Sequence, residues 1–170
     1  MNYQESGDKM DLSFLGIASN PITVFSQADK ADYLRNPDDI DEGIRELVDA
    51  INAIAAFFSM SACQGFLIEA EREDHCPETY VDFYVIDEQY HLARLLLGSL
   101  ASKFGASIDC KVVYEADFDV TAEDEIVANG MVKLRHSIEL YELPADLMTT
   151  TYQELVDHIR KFGAAVKQTA

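Results

Sequence analysis

The sequence has few positive charges. Only 13 Lys and Arg residues stand against 31 Asp and Glu residues, so the formal net charge is −18. Nucleic acids are bound mainly through clustered cations that neutralise phosphate groups, so this balance disfavours a nucleic-acid partner. It favours solubility, or electrostatic attraction to a basic partner protein.

Cysteines and long apolar runs are also scarce. The three cysteines, Cys63, Cys76 and Cys110, form no spaced framework, which argues against a disulfide-stapled secreted domain. No apolar run approaches the roughly 20 residues that cross a bilayer. The N-terminus lacks the basic start and apolar core of a signal peptide. We therefore expect a cytoplasmic protein without a membrane segment, and the composition leaves its oligomeric state open.

Apolar periodicity predicts one α/β domain over residues 21–170, preceded by a polar segment over residues 1–20 that contains a short strand at 11–18. Apolar residues spaced three to four positions apart predict the further helices, and two-residue alternation predicts the further strands. The predicted helices cover 26–34, 41–58, 88–104 and 151–162, and the predicted strands cover 66–68, 79–86, 108–114 and 131–141. Hairpin and crossover connections alternate, so we expect an α+β fold with a mixed or mostly antiparallel sheet of about five strands.

The most unusual segment is Ser59–Gly65, which reads Ser-Met-Ser-Ala-Cys-Gln-Gly and is predicted as a polar turn between the strongest helix and a strand. Such a turn can present several backbone N–H groups in one concave place, which suits a carboxylate or a phosphate. In the alternative interpretation, Ser59 and Ser61 satisfy chain-end groups, Gly65 supplies a turn angle and Cys63 is a small buried hydrophobe. Both interpretations stay open at this point.

Two strands carry further candidates. Tyr80 and Asp82 project from one strand face together with Tyr84, and they could line a ligand pocket or form an ordinary packed or surface face. His136 lies on the apolar face of a later strand, where a hydrogen-bonded core histidine is the favoured interpretation. Were His136 to face Cys63, a thiolate–imidazole pair would be conceivable.

The stretch from Asp41 to Gly65, with Leu47-Val48, Ile51-Asn52 and the Ser-Met-Ser-Ala-Cys-Gln-Gly run, resembles the helix-and-signature segment of the tRNA wybutosine-synthesizing methyltransferase family. It also resembles small bacterial proteins with an Ile-Asn…Ser-Cys-x-Gly run, and the likeness covers about residues 38–104. The resemblance implies a pocket beside the four positions Ser59, Ser61, Cys63 and Gly65, with S-adenosylmethionine or a nucleotide as ligand.

Two departures limit what this resemblance transfers. The basic residue that the family has after the glycine is Phe66 here, and the acidity of the chain does not suit a tRNA substrate. A shared fold does not transfer an activity, so we carry over the location of a site and no reaction.

No metal site is predicted. The spacings of Cys63, His75, Cys76 and His91 match no paired zinc pattern. The acidic segment 117–125 lacks the interior glycine and twelve-residue layout of a calcium loop. No P-loop, dinucleotide glycine fingerprint, nucleophile elbow or His-Glu-x-x-His helix occurs.

Three functional hypotheses follow. The first is a domain that binds a small nucleotide-like ligand at Ser59–Gly65. The second is an acidic module that binds or inhibits a basic protein, whose complex would be sensitive to salt. The third, taken from the resemblance alone, is an RNA-modifying methyltransferase that uses S-adenosylmethionine and requires a basic groove.

Overall fold

A computed structural model describes residues 22–35, 40–67, 78–115, 118–120, 126–128, 132–141 and 143–169. Its helices are α1 Gln27–Arg35, α2 Arg45–Asn52, α3 Tyr90–Phe104 and α4 Ala145–Thr169. Its strands are β1 Phe57–Cys63, β2 Thr79–Val85, β3 Ile108–Glu115, β4 Phe118–Val120, β5 Ile126–Ala128 and β6 Lys133–Leu140. Short 3₁₀ helices cover Glu42–Ile44, Gly65–Leu67 and Gly105–Ser107.

The main sheet has the strand order β1-β2-β6-β3, and every neighbouring pair is antiparallel. Strands β4 and β5 form a separate antiparallel pair. The predicted α/β class with helices on a mostly antiparallel sheet is confirmed, although the main sheet has four strands where about five were predicted. In this order β2 and β6 are central, whereas β1 and β3 are edge strands.

One face of the sheet, here called the inner face, carries the hydrophobic core. Val81, Phe83 and Val85 alternate along β2 on this face, and Ile138 lies opposite Val81 on β6. Helices α2, α3 and α4 bury their apolar sides against these strands, and burying one such side chain contributes roughly 1.5–3 kcal/mol. The helical members of this core are Leu47, Val48, Ala50, Ile51, Ala93, Leu96, Leu97, Leu100, Met148, Leu155, Val156 and Ile159.

The opposite face, here called the outer face, is apolar only at one end. There Phe58 and Tyr84 are cross-strand neighbours, and the ring of Phe25 stacks on Tyr84 at a centroid distance of 4.5 Å. Tyr33 of α1 packs against Phe58, so this aromatic cluster attaches α1 to the sheet. The rest of the outer face carries mostly polar side chains, together with Cys63 and Val113.

The helix predicted over 41–58 is wrong beyond Asn52. Beyond this end of α2, the Lys30 ammonium group caps free carbonyl oxygens: Nζ donates to the oxygens of Asn52 at 2.9 Å and Ile54 at 2.8 Å. The apolar residues Phe57 and Phe58 fit a helical stripe equally well, but in β1 they lie on opposite faces of the sheet. Lysine near a helix C-terminus is favoured by the helix dipole.

Two other boundaries also differ from the prediction. Helix α4 begins at Ala145, directly after Pro144, rather than at Thr151, and it continues to Thr169 rather than ending at Phe162. Proline is favourable at a helix start because it has no backbone N–H group that would be left without a partner. This preference outweighs the capping-box pattern at Thr151. The strand predicted over 66–68 is also wrong, because residues 65–67 form a 3₁₀ helix.

The remaining predicted elements lie where expected, to within a few residues: α1, α3, β2, β3 and β6. The predicted end of α3 at Gly105 is confirmed, since this residue has φ +55°. The predicted N-terminal segment with its strand at 11–18 lies outside the described residues. None of the helices in the described ranges is long and apolar enough to cross a membrane.

Candidate functional site

The segment Ser59–Gly65 is not the predicted turn. Residues 57–63 form the edge strand β1, which pairs with β2 and contains a register shift between Ser59 and Ser61. Side chains therefore alternate between the two faces along most of this segment, instead of converging on one concave spot. An open cradle of N–H donors is not formed here.

The hydrogen-bonding groups of Ser59 are used internally. Its backbone N–H donates to Oδ1 of Asn52 at 2.7 Å, and Nδ2 of Asn52 donates to Oγ of Ser59 at 2.9 Å. This reciprocal pair joins the end of α2 to β1. The Ser59 hydroxyl thus bonds to a side-chain amide, whereas the alternative interpretation expected it to satisfy a chain-end group.

Gln64 and Gly65 join three parts of the chain. The Gln64 side chain accepts from the N–H of Gly43 at 3.1 Å, and the Gln64 carbonyl accepts from the Thr79 hydroxyl at 2.8 Å. Gly65 has φ +48°, and a Cβ atom on it would lie 2.6 Å from the backbone of Glu78. A glycine is therefore required at position 65, both by the positive φ and by the close approach of the Glu78 backbone.

A pocket of about 220 Å³ lies on the outer face of the sheet. We call it the outer-face pocket; it is lined by Glu78, Tyr80, Asp82, Val113, Arg135, Ser137 and Glu139. Two of the predicted site residues, Tyr80 and Asp82, belong to this lining because they alternate onto the outer face of β2. The other residues come from β6 and β3 and from the residue preceding β2.

Asp82 is the buried carboxylate of this pocket, with 3 % of its surface exposed. Its Oδ2 accepts from Oγ of Ser61 at 2.9 Å and from Nη1 of Arg135 at 2.8 Å. A buried carboxylate is costly unless it is paired and hydrogen-bonded, and these two contacts meet that requirement. Ser61 thus serves the pocket indirectly, by holding Asp82.

Arg135 is held from two sides. Besides Asp82, the guanidinium group forms an ion pair with Glu115, whose Oε1 lies 3.0 Å from Nε without a hydrogen bond between the two atoms. Oε2 of Glu115 accepts from the Tyr84 hydroxyl at 2.7 Å. Burial, together with the hydrogen bond to Glu115, raises the pKa of Tyr84 well above its usual value. The chain Tyr84–Glu115–Arg135–Asp82 therefore fixes the floor of the pocket.

The rim of the pocket is also paired. Lys111 of β3 lies 2.5 Å from Oε2 of Glu139 and 3.2 Å from Oδ2 of Asp109. Ser137 donates to Oε1 of Glu139 at 3.4 Å. The cations at this end of the sheet are thus bound to carboxylates.

A smaller cavity of about 110 Å³ lies beside β1, and it is lined by Tyr33, Ile40, Val48, Ser59, Met60, Ser61 and Ala62. This cavity is next to the predicted site, and Ser61 connects it to the outer-face pocket through Asp82. The Met60 carbonyl accepts from the Tyr33 hydroxyl. Its mostly apolar lining offers a ligand fewer polar contacts than the outer-face pocket does.

His136 and Cys63 do not form a pair. Cys63 is opposite Tyr80 and so lies on the outer face, whereas His136 is opposite Phe83 on the inner face. The His136 ring stacks on Phe83 at 5.3 Å and on Tyr90 at 6.4 Å. Burial lowers the pKa of His136 to about 4, against an opposing influence of nearby backbone groups, so the imidazole is neutral at pH 7.

His136 is therefore a core residue, as the favoured interpretation predicted. The hydrogen bonding expected of a core histidine is incomplete, because the ring nitrogen Nδ1 has no hydrogen-bond partner among the described residues.

The remaining candidate metal ligands form no cluster among the described residues. His91 lies on the exposed side of α3, and His75 and Cys76 lie outside the described residues. Burial raises the pKa of Cys110 to about 11, so its thiol is protonated at neutral pH. In the described part of the chain, no group of three or more His, Cys, Asp or Glu residues could hold a metal ion.

Sequence analysis did not identify Arg135, Ser137 and Glu139 as site residues. The sequence pattern that could have identified them is that polar residues occupy alternate positions on β6, as they do on β2. Their position in the same pocket as Asp82 depends on pairing between strands about 50 residues apart, which periodicity does not reveal.

Comparison with family models, with curated proteins and with solved structures finds no match to this chain. The location of a functional site is therefore argued from the geometry described above.

Proposed function

We propose that this protein is a small-ligand-binding domain whose binding site is the outer-face pocket. The observation that carries the proposal is the buried carboxylate of Asp82, held by Ser61 and Arg135 at the base of an open, polar cavity. Ligand sites characteristically combine a cavity with a few polar groups held in fixed positions. The proposal keeps the ligand-binding function expected from the sequence but moves the site from Ser59–Gly65 to the adjacent sheet face.

The charges of the pocket do not favour a phosphate ligand. Glu78, Asp82 and Glu139 line it, and its one guanidinium group, that of Arg135, is already paired with two carboxylates. A phosphate would approach several like charges, which is unfavourable at close range. We therefore do not extend the proposal to a nucleotide phosphate or to methyl transfer onto RNA.

The test is a fragment screen that covers cationic, neutral and anionic small molecules. Binding is detected by backbone amide shifts in two-dimensional ¹⁵N NMR spectra, with each fragment at millimolar concentration. We expect at least one compound to shift the amides of Tyr80, Asp82 and Ser137 together. Fragments of this size bind in the millimolar range, because binding energy per atom is limited.

Val113→Trp provides the matched control. Val113 lies on the edge strand β3 and lines the pocket, so an indole there fills the cavity without altering a charge or an inner-face core residue. The variant should keep its unfolding midpoint and lose the ligand-induced shifts. If no fragment shifts these amides, or if Val113→Trp binds as well as the wild type, the proposed site is wrong.

A second candidate function, an acidic module that binds a basic protein, is favoured by the net charge of −18. It predicts association with a basic test protein such as lysozyme that weakens steeply between 50 and 300 mM salt, since screening lengths fall to about 10 Å or less in this range. It also predicts that Val113→Trp has no effect on that association. Retained binding at high salt would contradict this electrostatic mechanism.

A further inference from the structure

Strand β3 lies at one edge of the main sheet, and within the described residues it pairs with β6 alone. Its register is continuous from Ile108 to Glu115, without the bulge or proline that commonly blunts an edge strand. Its lysine, Lys111, is bound to carboxylates of β3 itself and of β6, those of Asp109 and Glu139. We call the side of β3 away from β6 the open edge.

The other edge strand, β1, is covered by side chains of the helices. The Ser59 N–H donates to Oδ1 of Asn52 in α2 at 2.7 Å, and the Met60 carbonyl accepts from the Tyr33 hydroxyl of α1. The register shift in β1 also disfavours regular pairing with a further strand. The fold thus protects one edge of its sheet with its own side chains and leaves β3 as a regular strand.

The hydrogen-bond ladder decides which backbone groups of β3 face the open edge. The N–H of Tyr141 donates to the carbonyl of Ser107 at 3.2 Å, one position beyond the first pair of the β3–β6 register. In an antiparallel ladder, residues that bond to the neighbouring strand alternate with residues whose backbone groups point away from it. The odd-numbered residues of β3 therefore bond to β6. The N–H and C=O groups of Cys110, Val112 and Tyr114 point to the open edge.

Two apolar side chains are also accessible at this edge. Val112 and Tyr114 are exposed by 45 % and 41 %, and they lie on the inner face, opposite His136 and Leu134 of β6. A strand added beside β3, with apolar residues on the same face, would cover both side chains. Cross-strand pairs of this kind stabilise antiparallel sheets.

The charge of the chain selects the kind of strand that fits. The formal net charge is −18, and residues 116–132, which follow β3 directly, contain five Asp and Glu residues and no Lys or Arg. A second copy of the chain carries the same charge, and a net charge of this size keeps proteins apart. A segment rich in lysine or arginine is attracted instead.

We propose that the open edge of β3 binds an extended segment of a basic protein as an added antiparallel strand. In this segment lysine or arginine alternates with apolar residues, so that the apolar side chains lie beside Val112 and Tyr114 and the basic ones lie on the outer face. The backbone groups of its apolar residues bond to those of Cys110, Val112 and Tyr114. This inference rests on the second candidate function, and it supplies an interface for it.

The experiment compares three eight-residue peptides of equal charge, each capped at both ends, in which lysine alternates with valine. The first is unmodified, the second carries methyl groups on the backbone nitrogens of its valines, and the third carries them on those of its lysines. Only the second lacks the N–H groups that the proposed pairing uses. At about 50 mM salt we expect the second to bind at least about tenfold more weakly than the first, since several hydrogen bonds are lost. The third should bind like the first.

Hydrogen exchange of backbone amides in the ¹⁵N-labelled protein locates the contact. In the free protein the amides of Lys111 and Val113, which bond to β6, should exchange slowly, and those of Val112 and Tyr114 should exchange rapidly. The unmodified peptide should slow exchange at Val112 and Tyr114 and leave Lys111 and Val113 unchanged.

Val112→Pro is the matched variant of the protein. It removes an N–H group from the open edge and no bond to β6, and proline is tolerated on an edge strand where its nitrogen faces solvent. The variant should keep the unfolding midpoint of the wild type and bind the unmodified peptide at least about threefold more weakly. Should it fail to fold, the comparison of the two methylated peptides on the wild type decides the question.

The outcomes separate this inference from the second candidate function. Equal binding of the first and second peptides would overturn strand addition and leave general attraction to an acidic surface. Weaker binding of the third peptide than of the second would overturn the proposed antiparallel pairing. Slow exchange at Val112 and Tyr114 without peptide would show that a second copy or the chain itself already covers the edge, and would also overturn the inference. If the unmodified peptide does not bind, strand addition is wrong, and the salt-dependent association with lysozyme still decides the second candidate function.

Discussion

Replacing Gly65 by alanine is expected to destabilise the fold by about 3 kcal/mol or more. Two effects add at this residue. Its φ of +48° lies in the left-handed region, which costs an L-residue roughly 1–2 kcal/mol. The new Cβ atom would also lie 2.6 Å from backbone atoms of Glu78 and Thr79, and relief of such overpacking typically costs about 1–3 kcal/mol.

Two other glycines allow the two effects to be separated by the same chemical change. Gly105 has φ +55° and ψ −123° with open space around its Cα, so Gly105→Ala should cost only a backbone term of about 1–3 kcal/mol, the range for a sparsely populated backbone conformation. Gly98 lies on the exposed side of α3 with ordinary φ and nothing near it. Gly98→Ala should therefore stabilise the protein by about 0.5–1 kcal/mol, the helix propensity difference.

The assay is urea denaturation followed by circular dichroism, with the free energy of unfolding taken from the midpoint and the slope. The expected order of stability is Gly98→Ala, wild type, Gly105→Ala and Gly65→Ala. If Gly65→Ala were no less stable than Gly105→Ala, the close contact with the start of β2 would not exist. The account of how residues 64 and 65 tie β1 to β2 would then be wrong.

The remaining predictions concern two buried groups. His136 has a pKa of about 4 in the fold and about 6.5 when unfolded, so the unfolded state binds the proton first as pH falls, and stability should drop by about 2–3 kcal/mol between pH 7 and 4.5. His136→Phe, which cannot titrate, should show a correspondingly flatter pH profile by urea denaturation, and parallel profiles would refute this reasoning. Lys30→Met should cost about 2 kcal/mol at pH 7, because the carbonyls at the end of α2 lose a charged donor. Lys161→Met, at an exposed position on α4, is the control, and equal stability of the two variants would argue against the capping role of Lys30.

Much of the fold was predictable because the relevant patterns are local. Two-residue alternation located β2 and β6 and put Phe83 and Asp82 on opposite faces of β2, as the structure has them. Helical spacing located α1 and α3, and Gly105 marked the end of α3. These signals arise within about ten residues of chain, where backbone geometry alone relates side-chain direction to sequence spacing.

The end of α2 was not predictable in this way. The residues from Ile54 to Phe58 continue an apolar helical stripe, but β1 begins at Phe57. In the structure Lys30, which lies more than 20 residues earlier, binds the carbonyls at the helix end, a contact that local periodicity does not reveal. Tertiary contacts of this kind commonly override local propensity. For the same reason Ser59–Gly65 was interpreted as a turn when most of it is an edge strand.

By itself, the sequence determined the acidic character of the protein, its α/β class and the faces of its central strands. The tertiary structure alone decided that Asp82 meets Arg135, since these residues are separated by 53 positions and become neighbours only through the pairing of β2 with β6. Side-chain alternation depends on the geometry of one strand, whereas register depends on which strands pair and how the core fills between them. The outer-face pocket is a product of that register.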